Sequence, residues 1–234
     1  MHDGAAKSYL YTGGQRGRGV VFLTDAGGIR RSSREAAARL CEHGYTVLMP
    51  NMFFRVGDPP FFTPPMDFKD PAVRATFAKL SGSLPPSAVE QDARSFVSFL
   101  RALPETAAAP LAVVGHCMSG AMALRGAAAC PDEIGLAVSF HGGRLYTDAP
   151  DSPHTVLPRV KARLYFGHAV DDGSMPQEAI DKLGDALKAW GGRYENEVYE
   201  GALHSWTSSD SPVYHPAQAE RAFQKLLALL ADRF

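Results

Sequence analysis

Short apolar runs alternate along this chain with amphipathic stretches, and the alternation predicts its elements. VVFLT (20–24), YTVLMP (45–50), PLAVVG (110–115), IGLAVSF (134–140), ARLYFG (162–167) and YENEVYE (194–200) read as strands. The first five are nearly continuous in apolar residues, as strands buried on both faces are. Between them, SSREAAARLCEHG (32–44) has Ser33 to cap a helix and Gly44 to end it. Further helices are expected at 71–80, 85–103, 118–129, 176–191 and 215–234. In the 85–103 segment Val89, Ala93, Phe96, Phe99 and Leu100 share one face. The stretch NMFFRVGDPPFFTPPMDF (51–68) carries too many prolines for regular structure.

Strands alternating with helices imply βαβ units and a mostly parallel sheet covered on both faces. The expected architecture is one α/β domain over residues 1–234, with no separate lid domain. There is no repeat and no low-complexity linker.

Composition narrows the function classes. With 24 Lys and Arg against 25 Asp and Glu, nothing attracts nucleic acid or an anionic membrane. No window approaches the roughly 18 apolar residues of a membrane span. The opening MHDGAAKSYLYTGG shows no charged start followed by an apolar run, so no secretory leader is expected. Three scattered cysteines (Cys41, Cys117 and Cys130) form neither a disulfide framework nor a CxxC pair, and a reducing cytoplasm is the expected setting. Cys41 and Cys130 fall on predicted helices and read as packing residues. Tyr214, His215 and Pro216 open the last helix and read as structural. His168 stands three residues before Asp171, but no HxH or HExxH partner accompanies it, so no metal and no cofactor are expected.

The chemistry gathers around AVVGHCMSGA (112–121). Cys117 follows a strand and precedes a helix, where α/β sheets bind ligands. Small-x-nucleophile-x-small is the pattern of a nucleophile elbow, whose sharp turn tolerates only small flanking residues. Gly115 satisfies one side; on the other Ser119 replaces the usual glycine, with Gly120 next. A helix N-terminus behind the thiol favours the thiolate. Taken alone, the pattern allows a buried structural cysteine as readily as a nucleophile. Residues after two later strands separate these readings. YFGHAVDDGSMP (165–176) leaves a strand and reaches Asp171 and Asp172, and EGALHSW (200–206) leaves the next strand and reaches His204. Nucleophile, acid, base is the chain order of α/β-hydrolases.

With VVGHCMSGAMAL around the cysteine, DDGSMP around the acid and YEGALHSW around the histidine, the chain resembles the dienelactone hydrolase family from about residue 19 to its end. The resemblance implies a Cys-His-Asp triad in a small, lidless α/β-hydrolase domain. By the register of Met175 and Pro176 the acid is Asp172, with Asp171 the alternative. It also implies that the TDAGG turn (24–28) supplies the Ala26 N–H, beside that of Met118, as oxyanion donors. Asp25 takes the place of a family glutamate that contacts the resting thiol, one methylene shorter. Of the family's substrate arginines, one position is Ser208 here. Another matches Arg74, a candidate carboxylate clamp, although the tyrosine a turn later is Ala78.

The expected reaction is hydrolysis of a carboxylic ester or lactone through a thioester on Cys117, by a monomer or homodimer acting on a small molecule. Hydrolysis of phosphotriesters by the same triad is an alternative, since an S–P bond is weaker than the O–P bond that traps serine enzymes. A non-catalytic small-molecule-binding protein is a second alternative. His116 and His141 are expected near the pocket, as substrate contacts or loop-shaping residues. Phe53, Phe54, Phe61, Phe62 and Trp206 are expected to wall an apolar mouth, unless they belong to the core.

Overall fold

The computed structural model describes residues 3–63 and 66–232. Seven strands form one sheet: β1 (Ser8–Tyr11), β2 (Gly19–Leu23), β3 (Thr46–Pro50), β4 (Leu111–His116), β5 (Ile134–Phe140), β6 (Arg163–His168) and β7 (Tyr194–Val198). Their order across the sheet is β1-β3-β2-β4-β5-β6-β7, and only β1 runs antiparallel, against β3. Six α-helices connect them: α1 (Arg31–Glu42), α2 (Pro71–Gly82), α3 (Pro86–Ala102), α4 (Ser119–Ala129), α5 (Gln177–Trp190) and α6 (Pro216–Ala231). A 3-10 segment, Pro153–Arg159, lies between β5 and β6.

The side-chain alternation of the central strands builds two cores, one on each face of the sheet. Val21, Leu23 and Val113 point into a core with α3, α4 and α5; Val20, Phe22, Ala112 and Val114 point into another with α1 and α6. Burial on both faces is why these strands read as unbroken apolar runs. α2 contributes only Leu80 to the interior and is otherwise a surface helix.

Most predicted elements recur within a residue or two. Three features differ. Strand β1 was not expected: SYLY is exposed over most of its length, so no buried run marks it, and it exists through pairing with β3. On α3, Val97 and Asp92 take buried positions while Phe99 faces solvent, because the helix turns a slightly different stripe to the core. α6 ends at Ala231, and residues 233–234 of the predicted last helix lie outside the described residues.

The strand order reverses between β2 and β4, with β3 on the far side of β2. Such a switch point leaves a crevice at the carboxyl edge of the sheet, where the loops after the two strands diverge. The loops after β2, β4, β6 and β7, carrying Asp25, Cys117, Asp172 and His204, all leave the sheet on that edge.

Close approach of α4 to β5 keeps this edge tight. A Cβ added at Gly120 would stand 2.1 Å from Ser139 Oγ. That hydroxyl is buried and has no hydrogen-bond partner among the described residues. Gly120→Ala is therefore expected to cost about 1–3 kcal/mol as overpacking. Ser139→Ala in the same chain should recover part of that loss, read as a non-additive double-mutant cycle in urea unfolding.

Candidate active site

At residue 117 the chain must turn from strand to helix within a few atoms. Cys117 accordingly has φ +57°, a left-handed conformation rare outside glycine. Gly115 is required here: a Cβ on it would lie 2.1 Å from the Ser119 carbonyl oxygen. Ser119, the departure from the usual glycine, is fully buried and tightens the turn. Its hydroxyl accepts from the His116 N–H at 2.8 Å and faces the carbonyls of His116 (2.9 Å) and Leu23 (3.2 Å). The Cys117 N–H is shared between Phe140 O at 3.1 Å and His141 Nδ1 at 3.0 Å. The Cys117 carbonyl accepts from the N–H groups of Gly120 and Gly143. Every backbone group of this residue is thus held by a neighbour.

Asp172 and His204 meet at 2.6 Å, through Asp172 Oδ2 and His204 Nδ1. The other carboxylate oxygen accepts from the N–H and hydroxyl of Ser174, at 2.8 and 2.7 Å. This Asx-type turn is local, and DxS in the sequence is the signal that marks it. Asp171, the alternative acid, has φ +50° and is exposed at the turn. Burial opposes charge on His204, but its bond to Asp172 and the adjoining Cys117 thiol overcome this and raise its pKa to about 10. Burial likewise opposes the Asp172 carboxylate, and the bonds from His204 and Ser174 outweigh it, so Asp172 sits below its ordinary range. The side chains can therefore share a charged arrangement in which an imidazolium lies between a carboxylate and a thiol.

The candidate oxyanion donors flank the crevice. Ala26 is buried in the turn after β2, and Met118 occupies the position before α4, where the helix N-terminus concentrates positive potential. Among the described residues neither N–H finds an acceptor in the protein.

Asp25 does not take the expected place against the thiol. Both of its carboxylate oxygens bind the Arg30 guanidinium, at 2.5 and 2.8 Å, and they also accept from the Gly27 N–H and the Ser208 hydroxyl. Arg30 stands just before α1 and also binds Asp210, so the acid after β2 is paired from the α1 side. No signal in the local motif foretold this pairing.

Four other expected substrate contacts are engaged within the protein. Trp206 is fully buried, stacked on Tyr199 at 4.8 Å and edge-on to His141 at 5.0 Å, so it is core rather than mouth. Phe53 is also fully buried, packed edge-on against Phe61. Phe54 is half-buried against Gly4 with the Arg55 guanidinium over its ring. Arg74 is exposed on α2, and its guanidinium donates to the carbonyls of Phe68 and Lys69. That bond holds it to its own loop.

The two histidines behave differently from each other. His116 donates from Nδ1 to Leu23 O at 3.2 Å, and burial holds it below its usual pKa, hence neutral. It lines a cavity of about 120 Å³ between the sheet, α1 and α6, on the face away from α4. His141, with φ +41°, is fully buried beside the turn, its ring centre 5.2 Å from that of His204. Its second nitrogen, Nε2, meets Thr207 Oγ1 at 2.8 Å. Phe61 and Phe62 are half-buried, and Phe61 packs on Gly28 of the turn after β2. No cluster of three or more metal-binding side chains occurs among the described residues, and no helix among them is long and apolar enough to cross a membrane.

A parallel sheet with a left-handed cysteine after one strand, and an acid and a histidine joined after two later ones, defines an α/β-hydrolase. The sequence model of the dienelactone hydrolase family matches residues 7–234, and the chain belongs to that family. Among curated proteins it is 28% identical over 225 residues to a carboxymethylenebutenolidase of Rhodococcus opacus, covering 90% of this chain and 79% of the relative. Two crystal structures share the fold. One is a provisionally assigned dienelactone hydrolase of Klebsiella pneumoniae, with TM-score 0.83 and 22% identity over 98% of this chain and all of that one. The other is P91, a dienelactone hydrolase-like promiscuous phosphotriesterase from metagenomic libraries, with TM-score 0.78 and 23% identity over 97% and 92%.

The Asp172–His204 pair has a defined pH signature. A histidine raised from 6.5 to about 10 contributes stability that is complete below 6.5 and is lost as pH rises through 10. An aspartate lowered from 3.8 contributes stability that is present above 3.8 and lost as pH falls through its folded value. The stability gap between the wild type and Asp172→Asn should be widest between about pH 4 and 6.5 and should narrow towards pH 10. Urea unfolding at a series of pH values measures it; a gap that widens from pH 7 to 10 would contradict the pairing.

Proposed function

We propose that the chain hydrolyses carboxylic esters or lactones, with Cys117 as nucleophile, His204 as general base and acid, and Asp172 as the group that orients His204. The supporting observation is the single arrangement in which His204, bound to Asp172, adjoins a cysteine held in a left-handed turn at a helix N-terminus.

In the first half-reaction His204 holds the thiol proton and Cys117 Sγ attacks the carbonyl carbon. The carbonyl π pair moves to oxygen, where the Ala26 and Met118 N–H groups receive it. As the carbonyl re-forms, the C–O bond to the alcohol breaks and the alkoxide takes the proton from His204. The product is an alcohol and a thioester on Cys117; a lactone ring opens to a single chain attached as the thioester. In the second half-reaction His204 takes a proton from water, the hydroxide adds to the thioester, and the thiolate leaves as the acid forms. Thiolate is a better leaving group than an amine anion, so a tetrahedral adduct of an amide returns to substrate. Esters, lactones and thioesters fit this chemistry and peptides do not.

Arg30 is neutralised by Asp25 and Asp210, and Arg74 is turned to its own loop, so neither of these guanidiniums is free to fix a substrate carboxylate. Uncharged esters and lactones are accordingly the favoured class. The Phe61 and Phe62 rings beside the oxyanion turn give their acyl or alcohol portion an apolar surface.

Turnover of p-nitrophenyl acetate and of simple lactones tests this reading. Cys117→Ala should lose about a thousandfold or more in kcat with the unfolding midpoint unchanged. The wild type should show a burst of about one p-nitrophenol per chain as the thioester accumulates. Retained turnover in Cys117→Ala would overturn the assignment. A paraoxon-like triester in the same panel separates carboxylic from phosphotriester preference, the activity carried in the description of P91.

A further inference from the structure

The triad residues reach the sheet edge on separate loops, and their mutual position needs something rigid between them. The loop after β7 holds His204 and is more than 80 residues away in sequence from the turn at Cys117. One side chain touches both. His141 leaves β5 at the carboxyl edge, its own N–H bound to Gly167 O at 2.7 Å, so its backbone is anchored to β6. Its Nδ1 accepts from the Cys117 N–H at 3.0 Å, and its Nε2 lies 2.8 Å from Thr207 Oγ1, three residues past His204.

We propose that His141 is a positioning residue for the hydrolysis: its ring clamps the nucleophile turn to the loop that carries His204, and so sets the distance and angle between thiol and imidazole. The inference rests on Cys117 being the nucleophile.

Three observations support it. First, the bond to Cys117 fixes the tautomer. A backbone N–H is a donor only, so Nδ1 is the acceptor, Nε2 carries the proton, and Thr207 Oγ1 receives it. The ring is thereby locked at both ends. Second, protonation of Nδ1 would set two donors against each other, and the surroundings oppose it. Burial comes first, followed by the neighbouring His204, and His141 is held well below its usual pKa. Third, His141 adopts φ +41°, a costly conformation for a residue with a Cβ. Gly142 follows it, yet the left-handed residue is the histidine. The fold keeps a strained imidazole where glycine would be less costly.

The hydrogen bonds of His141 go to the Cys117 N–H and to Thr207, and its ring lies edge-on to that of His204 at 5.2 Å, so its effect passes through the nucleophile turn and the His204 loop. The Cys117 N–H keeps Phe140 O as an alternative acceptor when the ring is removed. Loss of the clamp should therefore loosen the site without unfolding the turn. Misplacement of reacting groups by about 1 Å costs on the order of a hundredfold in rate.

Four variants separate the two ends of the clamp. In His141→Asn the amide oxygen sits where Nδ1 was and keeps the Cys117 bond, but the side chain is too short for Thr207. Thr207→Val removes the same loop link with the histidine in place. His141→Gln reaches Thr207 without an acceptor at the Nδ1 position. His141→Ala loses both ends. Each single-link variant should lose about tenfold in kcat at unchanged KM, and His141→Ala about a hundredfold. The double variant His141→Asn/Thr207→Val should be no slower than either single variant, because both remove one shared bond. The pH profile of Cys117 alkylation by iodoacetamide should move to higher pH in His141→Ala.

A purely structural histidine would lower the unfolding midpoint and leave kcat per folded molecule and the alkylation profile unmoved; that result overturns the proposal. So does Thr207→Val with wild-type kcat, or a double variant whose losses multiply. Should His141→Ala fail to fold, the Asn and Thr207→Val variants and their combination still decide. Turnover by Cys117→Ala would instead remove the nucleophile reading itself, which keeps the two failures apart.

Discussion

The left-handed turn at Cys117 is the constraint on which the rest of the site depends. A strand buried on both faces cannot present a side chain to a ligand, and a helix immediately after it must start within hydrogen-bonding range of the sheet. Only a backbone with φ +57° lifts one residue clear of both. That geometry brings the Ser119 carbonyl so close to residue 115 that glycine is required there. It also explains why Ser119 is tolerated two residues after the cysteine. Its hydroxyl is folded inward against His116 and Leu23, tying the turn to the end of the neighbouring strand. The cost of the strained turn is met by hydrogen bonds to the Cys117 backbone from β5, from His141 and from the loop at Gly143.

Around this turn three imidazoles lie close together and are held in different states by their neighbours. His116 is half-buried and His141 fully buried, both with uncharged hydrogen-bond partners, and both are held below the usual histidine range. His204, whose ring is 5.2 Å from His141, is raised to about 10 because a carboxylate and a thiol adjoin it. Burial pushes all three down, and only His204 has a hydrogen-bonded carboxylate and an adjoining thiol to reverse it. Positive charge on His204 in turn disfavours protonation of His141, so the two rings reinforce each other's states.

The fold and the positions of the proposed triad were legible in the sequence for different physical reasons. Central strands announce themselves because burial on both faces demands continuous apolar residues. β1 did not, because an exposed edge strand is held by backbone pairing that leaves no side-chain pattern. Cys117 is marked by the small residues its turn requires; Asp172 was preferred to Asp171 by the register of Met175 and Pro176, and the structure adds its local hydrogen bonds from Ser174. The aromatic residues were another matter. Trp206 and Phe53 have the composition of a pocket wall and the burial of a core, and an apolar side chain carries no label for which it will be.

Local requirements, then, were written in the sequence: the alternation that makes the sheet, the glycine and small residues that allow the turn, and the order of cysteine, aspartate and histidine after successive strands. These depend on neighbours within a few positions and therefore leave a pattern. Long-range pairings were decided only by the tertiary structure. Arg30 binds both carboxylate oxygens of Asp25, and His141 joins the Cys117 N–H to Thr207. Such contacts depend on which loops the sheet order brings to one crevice. A charge or a ring nitrogen can choose among several partners there, and no spacing along the chain records the choice.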